Sequence, residues 1–268
     1  MTGKTASGMA FEALPARLRE IADMLSGGEV VADIGTDHAY LPIGLVREGK
    51  FRRAVAADVR PGPLKAASEH IREAGLEDRV KTVLSDGLAS VDPADIRTVV
   101  IAGMGGRLIA RLVTEAEEAG RFAGLSEILV QPQSEAHLVR KALHEAGLRI
   151  ACEKMAEDRG KRYLMILAVP GEERYAEEEY KYGRLLAARK DPVFYRELTY
   201  RIEQLKRIAE ALGEQADEPD SRAGRREEVR TELALAERML SEWHRQPESS
   251  QTGWPSGPIP PGPNRTTT

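Results

Sequence analysis

Three acidic residues end or follow apolar segments in the first third of the chain. Asp33 stands just before Gly35 at the end of the first segment, Asp58 ends the second, and Asp86-Gly87 follows the third. Ligands of parallel α/β sheets bind at the carboxyl ends of the strands, so acids at three such ends predict one shared ligand site. These folds place the acceptor for ribose hydroxyls about 20 residues after the first loop, which assigns that role to Asp58.

The loop after the first segment, "GTDHAY", does not have the spacing of a dinucleotide site. A G-x-G-x-x-G loop holds a pyrophosphate at a helix start, whereas Thr36 and Asp37 follow Gly35 here. An aspartate repels a pyrophosphate but attracts S-adenosylmethionine, which carries a sulfonium and an ammonium group. Asp33 and Asp37 therefore favour this cationic methyl donor. A helix-capping role is an equal alternative for Asp37.

The fourth apolar segment ends in "IAGMGG", residues 101–106, with three glycines in four positions. A turn needs only one glycine, so we interpret this segment as a floor over which a flat base approaches the donor methyl group. The fifth segment ends in "LVQPQ", where Gln131 is expected to hold the edge of such a base. His137, in the following helix, is expected to be structural.

Strands and helices alternate through the first 170 residues. A helix is predicted over Phe11–Leu25, and the later helices are expected at 41–48, 63–74, 107–119 and 135–146. The expected strands are 30–34, 54–58, 80–84, 98–102, 127–131, 149–155 and 163–169. Their continuous apolar character indicates a parallel sheet covered on both faces. Only "AEDRGK" separates the last two strands, which must therefore be antiparallel. This ending is common in S-adenosylmethionine-dependent methyltransferases and rare in dinucleotide dehydrogenases.

The pattern changes after Pro170. Asp191-Pro192 is a helix start, and two apolar stripes at steps of three and four predict an antiparallel coiled-coil hairpin. A third helix is expected over Glu177–Arg189, and the Pro- and Ser-rich tail is expected to be disordered. The predicted division is residues 1–170 for the α/β domain, 171–245 for the helical domain and 246–268 for the tail.

Composition narrows the class of protein. The formal net charge is −4, which argues mildly against a general nucleic-acid coat protein but leaves room for a local basic face. The sequence contains no apolar run long enough to span a membrane and no secretory leader at its start, so we expect a cytoplasmic protein. The single cysteine, Cys152, excludes an internal disulfide and a cysteine-cluster metal site, and we expect it to be buried.

Five motifs carry a family resemblance. They are "LPARLREIADML", "VVADIGTDHAYLP", "IAGMGG", "LVQPQ" and "EDRGKRY", in this order and followed by the predicted coiled coil. Together they resemble the bacterial TrmK family, tRNA methyltransferases that modify N1 of adenine 22. The resemblance covers roughly residues 14–243. It implies a class I, Rossmann-like methyltransferase fold and S-adenosylmethionine as donor, with S-adenosylhomocysteine as product and no metal. It also implies a C-terminal coiled coil that helps engage tRNA.

The resemblance gives the donor-binding residues, whereas the expected mechanism and the clustering of Arg and Lys give a catalytic and an RNA-binding set. The donor-binding set is Asp33, Gly35, Thr36, Asp58, Asp86, Gly87, Gly103, Met104 and Gly105. The catalytic set, which positions the base or manages the proton of the cationic product, is Asp37, His38 and Gln131. The RNA-binding set is Arg60, Arg107, Arg159, Lys161 and Arg162, with Arg222, Arg225 and Arg226 at the helical hairpin. Arg159 is an addition to the family pattern, which leaves its role open.

The in-plane lone pair of adenine N1 attacks a methyl group without a strong base, so the expected task is alignment and exclusion of water. The absence of an N/D-P-P-Y/F motif at the fourth strand fits an N1 target better than an exocyclic amine. Two alternatives stay open: a methyltransferase for another RNA position, a small molecule or a protein, and a non-catalytic RNA-binding protein. We expect a monomer, with a homodimer through the coiled coil as the alternative.

Overall fold

The computed structural model describes residues 14–213 and 220–245, with the side chains of 220–223 left out. Its centre is a seven-stranded sheet in the order β3-β2-β1-β4-β5-β7-β6. The strands are β1 Gly28–Ile34, β2 Phe51–Asp58, β3 Val80–Leu84, β4 Thr98–Met104, β5 Glu127–Pro132, β6 Leu148–Asp158 and β7 Lys161–Pro170. The first five pair in parallel, and β7 is antiparallel to both β5 and β6. The predicted α/β sheet with a terminal antiparallel hairpin is confirmed.

Helices cover both faces of this sheet. They are α1 Ala16–Met24, α2 Tyr40–Arg47, α3 Pro61–Glu73, α4 Gly106–Glu118 and α5 Ala136–Glu145. On one face, Ile21, Leu45 and Ala67 of α1, α2 and α3 share a buried core with β1 and β2. On the other, α4 and α5 build a second core around Ile109 and Leu143. Burial on both faces explains why the strands are apolar throughout rather than alternating.

The N-terminal helix is shorter than predicted. The sequence pattern extends it from Phe11 to Leu25, but α1 begins at Ala16, and Leu14 and Pro15 are not helical. Proline disfavours the helical conformation in the residue before it, so the helix cannot extend back through Leu14 and begins after Pro15. Phe11 lies outside the described residues.

The hairpin and the third C-terminal helix also differ from the prediction. Strands β6 and β7 run on through most of "AEDRGK", and only Arg159 and Gly160 form the turn, with φ of 50° and 72°. Positive φ at both residues matches the two-residue turn that suits the twist of a hairpin. The helix predicted over Glu177–Arg189 is two short helices, α6 Glu177–Tyr182 and α7 Arg184–Ala188, separated by Gly183 at φ 96°.

Two long helices, α8 Pro192–Leu212 and α9 Asp220–Arg245, form the C-terminal part. They run antiparallel, since Trp243 lies beside Phe194 at one end and Arg226 donates to the carbonyl of Gly213 at the other. Asp191 caps α8 by accepting hydrogen bonds from the backbone N–H groups of Val193 and Phe194, both at 2.9 Å, as predicted. Supercoiling of the pair and the domain boundary at Pro170 stay predictions, and the tail from residue 246 lies outside the described residues.

A buried ion pair fixes the connection between the two parts. Arg140 of α5 and Glu153 of β6 are 2.7 Å apart, with side chains 1% and 0% exposed. Arg140 also donates to the carbonyl of Tyr180 at 2.8 Å, and Glu153 accepts from the N–H of Leu185 at 3.2 Å. The chain at Gly183 passes directly over both side chains, because a Cβ there would lie 2.8 Å from Arg140 Nη2. The segment leading into α8 is thereby held against the sheet.

Cys152 lies in β6 and is buried, as expected, with its sulfur 2.7 Å from Nη1 of Arg189. In the described residues, no helix is both long and apolar enough to cross a membrane.

Candidate active site

The carboxyl ends of β1, β2 and β3 bring the three acids to one edge of the sheet. The register places Asp33 beside Ala56 of β2, and Asp58 beside Leu84 of β3. Asp33 and Asp58 are both buried, at 7% and 5% exposure, whereas Asp86 is exposed. Charged side chains are rarely buried at strand ends unless a partner compensates them, so the two buried acids mark this edge as a binding site.

Burial raises the pKa of Asp33 to about 6, and the positive charge of Arg17 opposes this only in part. A carboxyl in this state is ready to ionise when a cation comes close, because the cation replaces the lost hydration. This is the electrostatic behaviour expected of a residue that binds a cationic ligand rather than a phosphate.

The loop between β1 and α2 does not use Asp37 as a helix cap. The N-cap of α2 is Ala39 in a left-handed conformation, and no side chain caps that helix start. Asp37 has a side chain 86% exposed, and its Oδ1 lies 3.3 Å from Nε2 of His38. The capping alternative for Asp37 is therefore wrong. His38 and Ala39 both have positive φ, at 59° and 57°, which is strained backbone of the kind found at functional sites.

His38 belongs to a cluster of three rings. The ring centroids of His38, Tyr40 and His70 lie 5.2 to 5.5 Å from one another, and Nδ1 of His70 lies 3.0 Å from the carbonyl oxygen of His38. The Nδ1 atom of His38 is buried with no hydrogen-bond partner in the described part of the chain. The rings fix the orientation of His38 beside the exposed carboxylate of Asp37.

At the end of β2, Asp58 Oδ1 accepts hydrogen bonds from the backbone N–H of Arg60 at 2.8 Å and from its Nε at 3.4 Å. Val59 between them is 60% exposed, which offers apolar surface for a flat ring next to the acid. Sequence reasoning missed Val59; its position directly after Asp58 is the only signal. Asp86 forms a two-pronged ion pair with Arg111, at 3.1 and 3.2 Å, and Gly87 is buried against Leu112. The donor-binding role of Asp86 stays a prediction.

The glycines of the fourth strand end serve more than one purpose. Gly103 is exposed with φ 78°, as an open floor requires. At Gly106 a Cβ would lie 2.3 Å from the carbonyl oxygen of Ser134, so close chain packing requires that glycine. Met104 reaches across to the donor loop, and a Cβ at Gly35 would lie 1.9 Å from its methyl carbon. The interpretation of "GMGG" as a floor for a base alone was therefore incomplete.

Gln131 is placed beneath this loop. It is 1% exposed, and its Oε1 accepts from the N–H of Gly103 at 3.1 Å and from Nη1 of Arg17 at 3.0 Å. Its amide nitrogen donates to the carbonyl of Pro132 at 3.4 Å. In this geometry Gln131 positions the loop, and the neighbouring Gln133 is the exposed glutamine. A direct contact of Gln131 with a base stays an untested prediction.

Arg17 is a site residue that sequence reasoning missed. It comes from α1, bonds Gln131, and lies 5.6 Å above the ring of Tyr163. Its charge also acts on Asp33. The signal that could have found it is the motif "LPARLREIADML", which carries the family resemblance and contains Arg17.

Several RNA-binding candidates are held by acids. Arg60 pairs with Asp58, Arg107 with Glu135 at 2.7 Å, and Arg162 with Glu197. Arg159 and Lys161 are exposed at the hairpin turn. At the helical hairpin, Arg225 pairs with Glu228, and the side chain of Arg222 is outside the described part.

His137 has its pKa lowered by burial and by the nearby charge of Lys181, which fits a structural role. The described residues contain no cluster of metal-ligating side chains.

A parallel sheet in this order, an antiparallel last strand and buried acids at the first two strand ends define a class I S-adenosylmethionine-dependent methyltransferase fold. Residues 14–166 match a family model described as a methyltransferase domain. The chain belongs to the TrmK family, the tRNA (adenine(22)-N(1))-methyltransferases.

The relatives cover most of the chain. The tRNA (adenine(22)-N(1))-methyltransferase of Bacillus subtilis (strain 168) is 30% identical over 210 residues, 76% of this chain and 87% of the relative. The crystal structure of the B. subtilis m1A22 tRNA methyltransferase TrmK superposes with a TM-score of 0.78 at 26% identity, covering 85% of this chain and 99% of that one. Streptococcus pneumoniae Sp1610, a putative tRNA (m1A22) methyltransferase solved with S-adenosyl-L-methionine, gives a TM-score of 0.75 at 29% identity, covering 85% and 100%.

Proposed function

We propose that this protein transfers the methyl group of S-adenosylmethionine to N1 of adenine 22 in tRNA, in the cytoplasm. The observation that carries this proposal is the pair of buried acids, Asp33 and Asp58, at the ends of adjacent strands. A cationic amino-acid group and a ribose are the two ligand parts that such acids suit. Membership of the TrmK family supports the choice of acceptor.

The residues present fit this donor. Asp33 and the turn at Gly35 would hold the amino-acid end, Asp58 the ribose hydroxyls, and Val59 one face of the adenine ring. Asp33 is the strongest part of this assignment, because its raised pKa reports a carboxylate that lacks compensation for burial. The bound donor supplies an electrophilic methyl carbon and leaves as S-adenosylhomocysteine.

The acceptor side is built from the loop that follows β4. Gly103 leaves room for a flat base, and Gln131 and Arg17 hold the backbone of that loop from below. Adenine N1 lies on the pairing edge, so the base must leave its stack to reach this floor. Alignment of N1 with the methyl group is then the main catalytic contribution of the chain.

Asp37 and His38 stand at the mouth of the site. Their contact of 3.3 Å orients the exposed carboxylate next to the imidazole. Methylation at N1 gives a cationic base, and a nearby carboxylate stabilises the positive charge that develops on it. His38 would position this carboxylate and contact the base edge.

Binding of tRNA uses the exposed cations around the strand ends. Arg159 and Lys161 reach from the tip of the hairpin, and Arg60, Arg107 and Arg162 exchange their carboxylate partners for phosphates. Each exchange replaces one ion pair by another, so the cations add selectivity for a polyanion without a large total positive charge.

The chain would act as a monomer. The apolar faces of α8 and α9 pack on each other around Leu198, Leu205 and Ala236, which leaves this surface closed to a second copy. Light scattering of the purified protein tests this, and a mass twice that of the chain contradicts it.

The decisive experiment maps methylated nucleosides. Unmodified tRNA is incubated with the protein and S-adenosylmethionine, digested, and analysed by mass spectrometry with position mapping. We expect 1-methyladenosine at position 22 and none in a tRNA with guanosine at that position. Methylation elsewhere, or only of small molecules, contradicts the proposal.

A further inference from the structure

A cleft of about 580 Å³ lies between the sheet and the long helix α8. It is lined by the β5–α5 loop at Gln133 and Ser134, by the β6–β7 hairpin at Arg162 and Leu164, and by Glu197 and Tyr200 of α8. This volume falls within the range of roughly 300–1,000 Å³ of small-molecule sites. The cleft is therefore large enough for a nucleotide.

The cleft starts at the acceptor side of the active site. The N–H of Gln133 donates to the carbonyl of Met104 at 2.8 Å, and a Cβ at Gly105 would lie 3.6 Å from Oγ of Ser134. The two cleft residues thus border the glycine-rich loop directly. The entrance of the cleft is therefore next to the loop on which the proposed function places the target base.

Tyr200 differs from the other aromatic residues of the helical pair. Phe194 and Tyr195 pack against Trp243, with ring centroids 6.1 and 5.1 Å apart, whereas Tyr200 is 55% exposed. A large ring exposed on a helix and facing a cleft offers a stacking surface. Bases of any sequence stack on aromatic side chains, and each stack contributes substantially to the binding of single-stranded nucleic acid.

Charge in the cleft suits a phosphate next to that base. Arg162 pairs with Glu197, both side chains are partly exposed, and both line the cleft. A guanidinium in such a pair can turn to a phosphate, whose oxygens it can bind through two parallel N–H groups. The aliphatic side chains of Met155 and Leu164 supply the apolar part of the lining.

We propose that this cleft holds the nucleotide next to the target adenine, with its base stacked on Tyr200 and its phosphate on Arg162. The inference rests on the proposed function and deepens it, since it assigns the helical domain a contact with the RNA strand at the reaction site. Tyr200 is in this sense a positioning residue: it fixes the strand so that the target base stays extruded over the glycine-rich loop.

The test compares Tyr200→Phe, which keeps the ring, with Tyr200→Ala, which removes it. Glu210→Gln, on the same helix outside the cleft, is the matched control. We expect Tyr200→Ala to raise KM for tRNA roughly 5- to 100-fold, with donor affinity by calorimetry and thermal unfolding unchanged. Tyr200→Phe and Glu210→Gln are expected to behave as wild type.

A second measurement reports the stacking itself. A tRNA with 2-aminopurine at each position next to the target adenine is titrated with the protein, and quenching on binding reports contact with a ring. Quenching that survives in Tyr200→Phe and disappears in Tyr200→Ala supports the proposal. Equal KM and equal quenching in Tyr200→Ala, or a defect in Tyr200→Phe as large as in Tyr200→Ala, overturns it. If the wild-type protein does not methylate tRNA at all, the proposed function fails instead.

Discussion

Arg17 and Gln131 are joined by a hydrogen bond of 3.0 Å although 114 positions separate them in the chain. The same oxygen of Gln131 accepts from the N–H of Gly103, so the N-terminal helix, the fifth strand and the glycine-rich loop share one acceptor. Helix α1, whose sequence pattern indicates only a packing role, therefore also supports the active site.

Replacing Arg17 by alanine is expected to lower kcat for methyl transfer about 10- to 100-fold, because Gln131 loses a partner and the loop at Gly103 loses its fixed position. Gln131→Ala should have a similar effect, and the double variant should be little worse than either single one. Steady-state kinetics with tRNA measures this. Arg19→Ala serves as the control on the same helix as Arg17. It removes only an exposed ion pair with Glu48, which follows α2, and its effect on kcat should be near neutral. If the loss of kcat in the double variant were the sum of the two single losses in free energy, Arg17 and Gln131 would act independently, which would contradict this account.

Asp33 predicts a pH-dependent stability of the donor-free protein. Its pKa is raised from 3.8 to about 6, so between these values the folded state holds the proton more tightly than the unfolded chain. Stability therefore falls as pH rises through this window, by on the order of 3 kcal/mol at about 1.4 kcal/mol per pKa unit. Urea denaturation at pH 4 and pH 8 should show Asp33→Asn gaining on wild type only at pH 8. An equal difference at both values would contradict the assignment.

The same carboxyl predicts how donor affinity depends on pH. A cationic donor favours ionised Asp33, so binding releases a proton below pH 6, and affinity should rise as pH increases from 5 to 7. Calorimetric titration with S-adenosylmethionine at several pH values measures this. Asp33→Asn should bind weakly and with a flat pH profile, despite its greater stability at neutral pH. Donor affinity independent of pH in the wild type would count against a contact with Asp33.

Asp37→Asn and His38→Ala are expected to reduce kcat about 10-fold or more with little change in donor affinity, since the proposed role of both is toward the base. Single-turnover methylation at saturating donor separates this step from binding. Glu118→Gln, an exposed acid on α4, is the control for removal of one surface charge. Near-normal turnover in both variants would remove these residues from the mechanism.

Removing one partner of the buried pair Arg140–Glu153 is expected to destabilise the fold more than removing both. Arg140→Ala leaves an uncompensated buried carboxylate and should lower the free energy of unfolding by about 3–5 kcal/mol. The double variant Arg140→Met with Glu153→Leu removes both charges and should lose less. Denaturant unfolding measures both, and Arg238→Ala, from the more exposed pair with Glu178, should lose at most about 1 kcal/mol. A double variant worse than the single one would contradict this account.

Affinity for tRNA should fall steeply with added salt, because phosphate contacts release condensed counterions. Lys161→Ala and Arg159→Ala at the hairpin turn are each expected to reduce the slope of log affinity against log salt by about one. Filter binding between low and physiological salt provides the measurement. Salt-insensitive binding of the wild-type protein would exclude the phosphate-contact model.

The sheet could be predicted from the sequence because burial on both faces makes the strands continuous apolar runs, and because a short polar link forbids a parallel crossover. The strand-end acids followed from the same rule, since parallel strands end at one edge. Contacts between distant segments could not be predicted. Neither the bond of Arg17 to Gln131 nor the pair Arg140–Glu153 leaves a periodic signal, because each depends on how two helices lean on the sheet. The break at Gly183 was missed for the same reason: the cause is the pair of charged side chains beneath it.

The side chain of Met104 joins the acceptor loop to the donor loop at Gly35. The methyl carbon of Met104 fills the space that a side chain at position 35 would need, because a Cβ built there would lie 1.9 Å from that carbon. The donor loop at Gly35 and the acceptor loop at Met104 therefore pack directly against each other. A side chain at position 35 would have to displace the end of the Met104 side chain, and the backbone φ of 75° there favours glycine. Substitutions at Gly35 are therefore expected to alter the packing of Met104 in the acceptor loop together with the donor loop.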